Sequence, residues 1–241
     1  MKWIPNSITL INLFLGCVAM ALVFEGLLAA ASVMIGVCAL LDYLDGAAAR
    51  WLGVRSSLGR QLDSLADLVS FGVAPATIVY HYLRDTTQAV SPEGTLSPWP
   101  LLAFLIAVFS ALRLAIFNTR EQKETHFTGL PTPANALLIA SIPFVLAFVA
   151  PDNAVHQALD ALTASFRLTL AFGIVCSLLL TAPVKMFSLK AKSLKWNQNR
   201  IRYVFLAGCL LLLIIFGLAA LPLFLIFYII LSVADHIWSI S

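Results

Sequence analysis

Charge is what this sequence has least of. Only 11% of its 241 residues are Asp, Glu, Lys or Arg, against about 25% in an ordinary soluble domain. Hydrophobic residues make up 61% of the chain, and the mean hydropathy is +0.93. So few charges cannot clothe a water-facing surface. A soluble globular protein is therefore excluded, and a polytopic membrane protein folding as one domain is expected. Cysteine is scarce as well. Cys17, Cys38, Cys176 and Cys209 stand singly in apolar runs, and no Cys-x-x-Cys occurs. A thiolate zinc site and a dithiol redox motif are thus excluded, and the cysteines read as small packing residues.

Against this background one polar stretch stands out. Asp42, Asp45, Asp63 and Asp67 fall within 26 residues, together with Gly46, Ala49, Arg50 and Gly59. Asp42 and Asp45 are three apart and Asp63 and Asp67 four apart, so each pair shares one helix face. The more polar segment from Arg50 to Arg60 reads as the connection between two antiparallel helices. Such a pair points four carboxylates at one small volume. Crowded anions repel, and more so at low dielectric, so the arrangement calls for divalent cations or protonation. Hard oxygen ligands suit Mg²⁺, Mn²⁺ or Ca²⁺ rather than zinc, and two such ions suit phosphoryl transfer. Gly46 and Gly59 let a diphosphate approach the backbone, and Arg50 can hold phosphate by a charge-assisted bond. The bland alternative is a charged helix cap, but charges within membrane segments are costly and point to function.

Apolar runs predict eight spans: about 8–24, 27–48, 62–82, 99–117, 134–149, 168–183, 203–220 and 222–234. The first follows Pro5-Asn6-Ser7, a helix-start signal, and reads as a retained span, since small-residue cleavage signals come only at Ala29–Ala31. Asn6, Thr9 and Asn12 recur every three residues and form a polar stripe on it. The stripe serves either inter-helix bonding or contact with a polar headgroup. Glu25-Gly26 breaks the first two spans, and Pro75 predicts a kink in the third. Residues 120–129 read as a charged, mobile segment, and Pro131 and Pro133 as a stiff entry to the fifth span. The division expected is a core over 1–183, a basic interfacial segment over 184–202, and two closing spans over 203–236. In the middle segment Lys185, Lys190, Lys192, Lys195, Arg200 and Arg202 alternate with apolar residues, which suits anionic lipid rather than nucleic acid.

Orientation follows from the basic residues. With the N-terminus inside, 13 of the 15 Lys and Arg lie at cytoplasmic positions, and only Arg84 and Arg167 lie outside. Both termini and the carboxylate cluster are then expected at the cytoplasmic face of the cell's inner or plasma membrane.

Asp42-x-x-Asp45-Gly46-x-x-Ala49-Arg50-x8-Gly59-x3-Asp63-x3-Asp67 resembles the signature of the CDP-alcohol phosphotransferases. That resemblance implies transfer of a substituted phosphoryl group from a CDP-alcohol to a second alcohol, with release of CMP. It implies that Asp42, Asp45, Asp63 and Asp67 hold a pair of divalent metals, Mg²⁺ or Mn²⁺. It further implies that Asp67 is the base for the attacking hydroxyl, that Gly46, Ala49 and Gly59 make room for the nucleotide, and that Arg50 contacts it. Asn6 and Thr9 join the CDP-lipid contacts. A homodimer is implied as well.

Asp63-Ser-Leu-Ala-Asp67-Leu-Val-Ser-Phe-Gly-Val-Ala-Pro75, Arg113-Leu-Ala-Ile-Phe-Asn118 and Gly129-Leu-Pro-Thr-Pro133 are similar to the serine-transferring branch of the family, with Ile116 departing from an expected arginine. The substrates implied are CDP-diacylglycerol and L-serine within membrane lipid. The serine carboxylate needs a cation; Arg113, Arg120 and Arg55 are the candidates, Arg113 lying deepest in an apolar span. Inositol phosphate, glycerol phosphate or choline as acceptor, or an ether CDP-lipid, are alternatives. A cation transporter leaves the fixed glycine and alanine spacing unexplained. A phospholipase-D-like route needs His-x-Lys, and none of His81, His126, His156 or His236 precedes a lysine by two.

Overall fold

The computed structural model describes residues 3–53, 56–88, 97–119, 127–186 and 196–238. Helix α1 spans Trp3–Phe24 and tolerates Pro5 in its first turn, where no N–H is needed. Gly26, at φ +77°, turns the chain into α2, Leu28–Trp51. Gly53, at φ +63°, and the N-cap Ser56 then start α3, Ser57–Asp67, the Ser56 hydroxyl accepting from the Gly59 N–H at 2.9 Å. A π-helical turn, Leu68–Val73, joins α3 to α4, Ala74–Gln88. A 3₁₀ turn, Trp99–Phe104, leads into α5, Leu105–Thr119. Then come α6, Thr132–Phe148; α7, Ala154–Ala164; α8, Phe166–Thr181; α9, Trp196–Phe216; and α10, Ala220–Trp238.

The fold is an all-helical bundle. The one β pairing among the described residues joins β1, Phe127–Thr128, to β2, Lys185–Met186. Small residues let the helices approach closely. Ala19, Ala31, Cys38, Ala74 and Ala136 are fully or almost fully buried around Ile35, Phe71 and Ile139. At Gly16 a Cβ would run into the Ser70 hydroxyl, so α1 lies directly on the π turn.

Five stretches among the described residues are long and apolar enough to cross a membrane: Trp3–Phe24, Leu28–Trp51, Ser57–Thr87, Trp99–Thr119 and Asn199–Asp235. The pair α7 and α8, bent by 98°, adds a sixth if taken as one span. The chain is an integral membrane protein. The last stretch folds back on itself at Gly217, φ +56°, for Phe205 of α9 and Phe227 of α10 stack at 6.0 Å.

Several details differ from the sequence expectation. The connection between the two aspartate helices is shorter than 50–60, because α2 continues through Trp51 and α3 begins at Ser57. The third span likewise extends from Ser57 to Gln88, beyond the expected 62–82. The irregularity expected at Pro75 takes the form of the π turn just before it. Pro75 has no N–H for the Phe71 carbonyl four residues back, and the backbone widens there. Helix α7 was not expected; Asn153 caps it by accepting from the Val155 N–H at 2.9 Å. The end of the supposedly mobile 120–129 segment is anchored. Gly129 donates to the Val184 carbonyl at 2.9 Å and Leu130 to Leu179 at 2.8 Å. Residues 187–195 of the basic 184–202 segment, with Lys190, Lys192 and Lys195, lie outside the described residues, and from Trp196 onward the chain belongs to α9.

Candidate active site

The site is built where the end of α2 meets α3. The i, i+4 pair Asp63 and Asp67 shares a face as expected, but of the i, i+3 pair only Asp42 joins the cluster, so three carboxylates rather than four converge. Asp42, Asp63 and Asp67 each present one carboxylate oxygen such that the three lie within 4.8 Å of one another. All three residues are half-buried. Asp45 sits slightly apart. It is 5% exposed, and its Oδ2 accepts from the Thr9 hydroxyl at 2.6 Å. Its charge still bears on Asp63 and Asp67.

Hard oxygen donors converging this closely fit Mg²⁺ or Mn²⁺, which take carboxylates as point ligands. A second observation points the same way. Oδ1 of Asp67 is buried without a hydrogen-bond partner, an expensive position for an anion that nothing neutralises. Asp42, Asp63 and Asp67 therefore fit a divalent cation, with Asp45 beside them held by Thr9.

The polar stripe on α1 is divided by depth. Asn6, at the mouth, faces Gly59: a Cβ on Gly59 would lie 3.0 Å from Asn6 Oδ1 and from Ser56 Oγ. Thr9, buried, is committed to Asp45, so it positions a carboxylate rather than facing a ligand. Asn12, deeper again, uses its carbonyl to accept from Ser70 at 3.1 Å and from the Cys38 thiol at 3.5 Å. Gly46 is open apart from Arg50, whose Nη1 would lie 3.3 Å from a Cβ there. Arg50 is exposed and Ala49 half-buried, one turn along α2 from the aspartates.

Arg113 arrives from α5. Its Nη1 donates to the Thr132 hydroxyl at 3.3 Å, its Nε is buried without a partner, and its charge acts on Asp67. Asn118, one helical turn and a half further, donates to Ser64 at 2.8 Å and ties α5 to α3 between the two aspartates. Of the other acceptor candidates, Arg55 and Arg120 lie outside the described residues. Sequence reading missed Thr132, Ser64 and Tyr228. Tyr228, on α10, comes within electrostatic reach of Arg113 although 115 positions separate them in the chain. Thr132 was legible only as part of a proline-rich helix entry, and nothing local marked Tyr228.

Comparison with known proteins agrees with this geometry. Residues 2–238 match the family model for CDP-alcohol phosphatidyltransferase. A CDP-diacylglycerol–serine O-phosphatidyltransferase of Helicobacter pylori (strain J99) is 30% identical over 236 residues, 97% of this chain and 91% of that protein. The Mycobacterium leprae protein of the same name is 36% identical over 146 residues, 58% of this chain and 46% of its own length. An archaetidylserine synthase of Methanothermobacter thermautotrophicus is 34% identical over 140 residues, 57% of this chain and 56% of that protein. The chain thus spans about half the length of the mycobacterial relatives it matches. With the family matched along almost the whole chain and the aspartates gathered at one point, the protein belongs to the CDP-alcohol phosphatidyltransferase family.

Proposed function

We propose that this protein transfers the phosphatidyl group of CDP-diacylglycerol to the hydroxyl of L-serine, giving phosphatidylserine and CMP. The observation that carries the reading is a buried, unpartnered Nε on Arg113 together with a buried, unpartnered carboxylate oxygen on Asp67. The two side chains act on each other electrostatically. An acceptor bearing a hydroxyl and a carboxylate satisfies both: the hydroxyl donates to Asp67 and the carboxylate accepts from Arg113. Relatives that differ in the lipid named, phosphatidyl or archaetidyl, share serine in their names, which supports the acceptor more strongly than the lipid.

Asp67 takes the proton of the serine hydroxyl as its oxygen attacks the lipid-side phosphorus. The bond from that phosphorus to the CMP oxygen breaks, and CMP leaves. Asp42, Asp45, Asp63 and Asp67 would hold divalent cations, which would supply neutralisation of the diphosphate and of the departing charge. Gly46, Ala49 and Gly59, with Asn6 at the mouth, leave room for the nucleotide, and Arg50 meets its phosphates. The eight apolar helices α1, α2, α3–α4, α5, α6, α8, α9 and α10 cross the membrane as eight spans with both termini cytoplasmic. The protein is proposed to act as a homodimer.

The test is a transfer assay on purified protein with CDP-diacylglycerol and labelled serine, inositol phosphate or glycerol phosphate. Labelling from serine is expected with Mg²⁺ or Mn²⁺, and none with EDTA. Asp67→Asn should lower turnover by about 10²- to 10⁴-fold, the usual range for general-base assistance. Labelling from glycerol phosphate or inositol phosphate instead of serine would retain the chemistry and refute the acceptor assignment.

A further inference from the structure

The C-terminal hairpin carries none of the aspartate motif, yet the fold brings it to the acceptor side of the site. In α10, Tyr228 is 7% exposed and packs with Leu130 and Met186 in a small core separate from the main one. Phe205 of α9 meets the Tyr228 ring edge-on, with centroids 5.9 Å apart at 70°. Gly208, where a Cβ would strike the Phe227 ring, lets the two helices close on each other. Leu130 and Met186 are themselves pinned. Leu130 follows Gly129 in the strap bonded to α8 and Val184, and Met186 pairs with Phe127 across β1 and β2. Two residues beyond Leu130 stands Thr132, 1% exposed, accepting from Arg113. The Tyr228 ring is therefore wedged against the strap that carries the Arg113 acceptor.

We infer that Tyr228 is a positioning residue for the acceptor site: seated on Leu130 and Met186, it works with Thr132 to hold Arg113 beside Asp67, so that the C-terminal hairpin sets acceptor specificity. This rests on the reading above, in which Arg113 receives the acceptor's carboxylate. An arginine has many rotamers, and holding it in one orientation favours a planar anionic partner over a neutral one. Thr132 supplies one fixed acceptor from α6 and the Tyr228 wedge fixes the strap from α10.

The experiment measures kcat/KM for L-serine and for L-serinamide, in which a neutral amide replaces the carboxylate, on the full-length protein in lipid. Their ratio is taken on one preparation, so loss of folded protein cancels. Wild type should prefer serine by about 10- to 100-fold, the range of a hydrogen bond to a charged group. Arg113→Gln should abolish the preference. Tyr228→Leu, which takes the ring off Leu130 and Met186, should cut it by about 3- to 10-fold through the serine KM, at an unchanged KM for CDP-diacylglycerol, whereas Tyr228→Phe, which keeps the ring, should keep the preference. In the Arg113→Gln background, Tyr228→Leu should add nothing. Thr132→Val should act like Tyr228→Leu, and Thr132→Ser should restore the preference.

The failures are distinguishable. Preference retained in Arg113→Gln overturns the acceptor reading and this inference with it. Preference lost in Arg113→Gln but retained in Tyr228→Leu overturns the role of Tyr228 alone. An equal effect of Tyr228→Leu with and without Arg113 also overturns it, because the tyrosine would then act elsewhere.

Discussion

Thr9 shows how one hydroxyl can govern a charged site. The Asp45 carboxylate is buried, and Thr9 is the side chain that donates to it, at 2.6 Å. A ligating carboxylate whose supporting donor is removed typically loses about 10- to 100-fold in metal affinity or activity. With Asp45 among the metal ligands as proposed, Thr9→Val, nearly equal in shape, should raise the Mg²⁺ or Mn²⁺ concentration needed for half-maximal transfer by about that factor. Thr9→Ser should stay close to wild type. A metal titration of the three proteins decides it, and identical curves would remove Thr9 from the support of the site. Asn6 provides a contrast on the same helix. It faces Gly59 from the mouth of the site and takes no part in that bond, so Asn6→Ala should leave the metal titration unchanged while raising the KM for CDP-diacylglycerol.

Between elements, the strap that enters α6 carries the most exacting residue. Gly129 adopts φ +81°, and a Cβ there would collide with the carbonyl oxygen of Leu180. The left-handed conformation alone costs an alanine roughly 1–2 kcal/mol, and the collision adds to it. Gly129→Ala should lower the unfolding temperature in detergent and loosen the strap that carries Leu130 and Thr132. Gly26, also at positive φ but with nothing close to its would-be Cβ, should show the conformational cost without the collision. Comparing the two variants by thermal unfolding separates those contributions; equal losses would mean that the Leu180 contact yields easily. The π turn after Asp67 is the other junction where elements meet. Ser70 there donates to the Asn12 carbonyl at 3.1 Å while Gly16 clears the space beside it. A π turn offsets the helix faces before and after it, so α3 can aim aspartates at α2 while α4 packs into the main core.

For the whole molecule, the decisive quantity is sidedness. Thirteen of 15 basic residues fall on one side if the helices alternate across the membrane as proposed. Single cysteines introduced at Gly53 and at Asp152, in a background without Cys17, Cys38, Cys176 and Cys209, should report opposite faces. Gly53 follows α2 and Asp152 precedes α7, and both are exposed. An impermeant maleimide should label position 152 in intact cells and position 53 only after the membrane is opened. Labelling of both from the same side would overturn the span count. The same alternation explains why the aspartates sit near one end of their helices. A cluster of anions is tolerable near an interface, where water and cations reach it, and far costlier at the bilayer centre.

The sequence by itself determined the class of fold and the place where the aspartates gather. Scarce charge and long apolar runs demand a helical membrane bundle, because every backbone group inside lipid must be bonded within the chain. Asp63 and Asp67 share a face by the helix period alone, and the short connection from α2 to α3 brings Asp42 to them, so this cluster was legible in the sequence. Helix ends were less legible: α3 begins five residues before the expected third span, at Ser57 rather than Leu62, because a side-chain cap and not hydropathy starts it. Only the tertiary structure decided which polar residues serve which purpose. It turned Thr9 toward Asp45, seated Asn6 on Gly59, placed Thr132 against Arg113, and folded α9 and α10 back so that Tyr228 packs with Leu130. These are contacts between segments 19 to about 100 residues apart. Such contacts depend on how helices pack and turn, and a local pattern of polar and apolar residues carries no record of that.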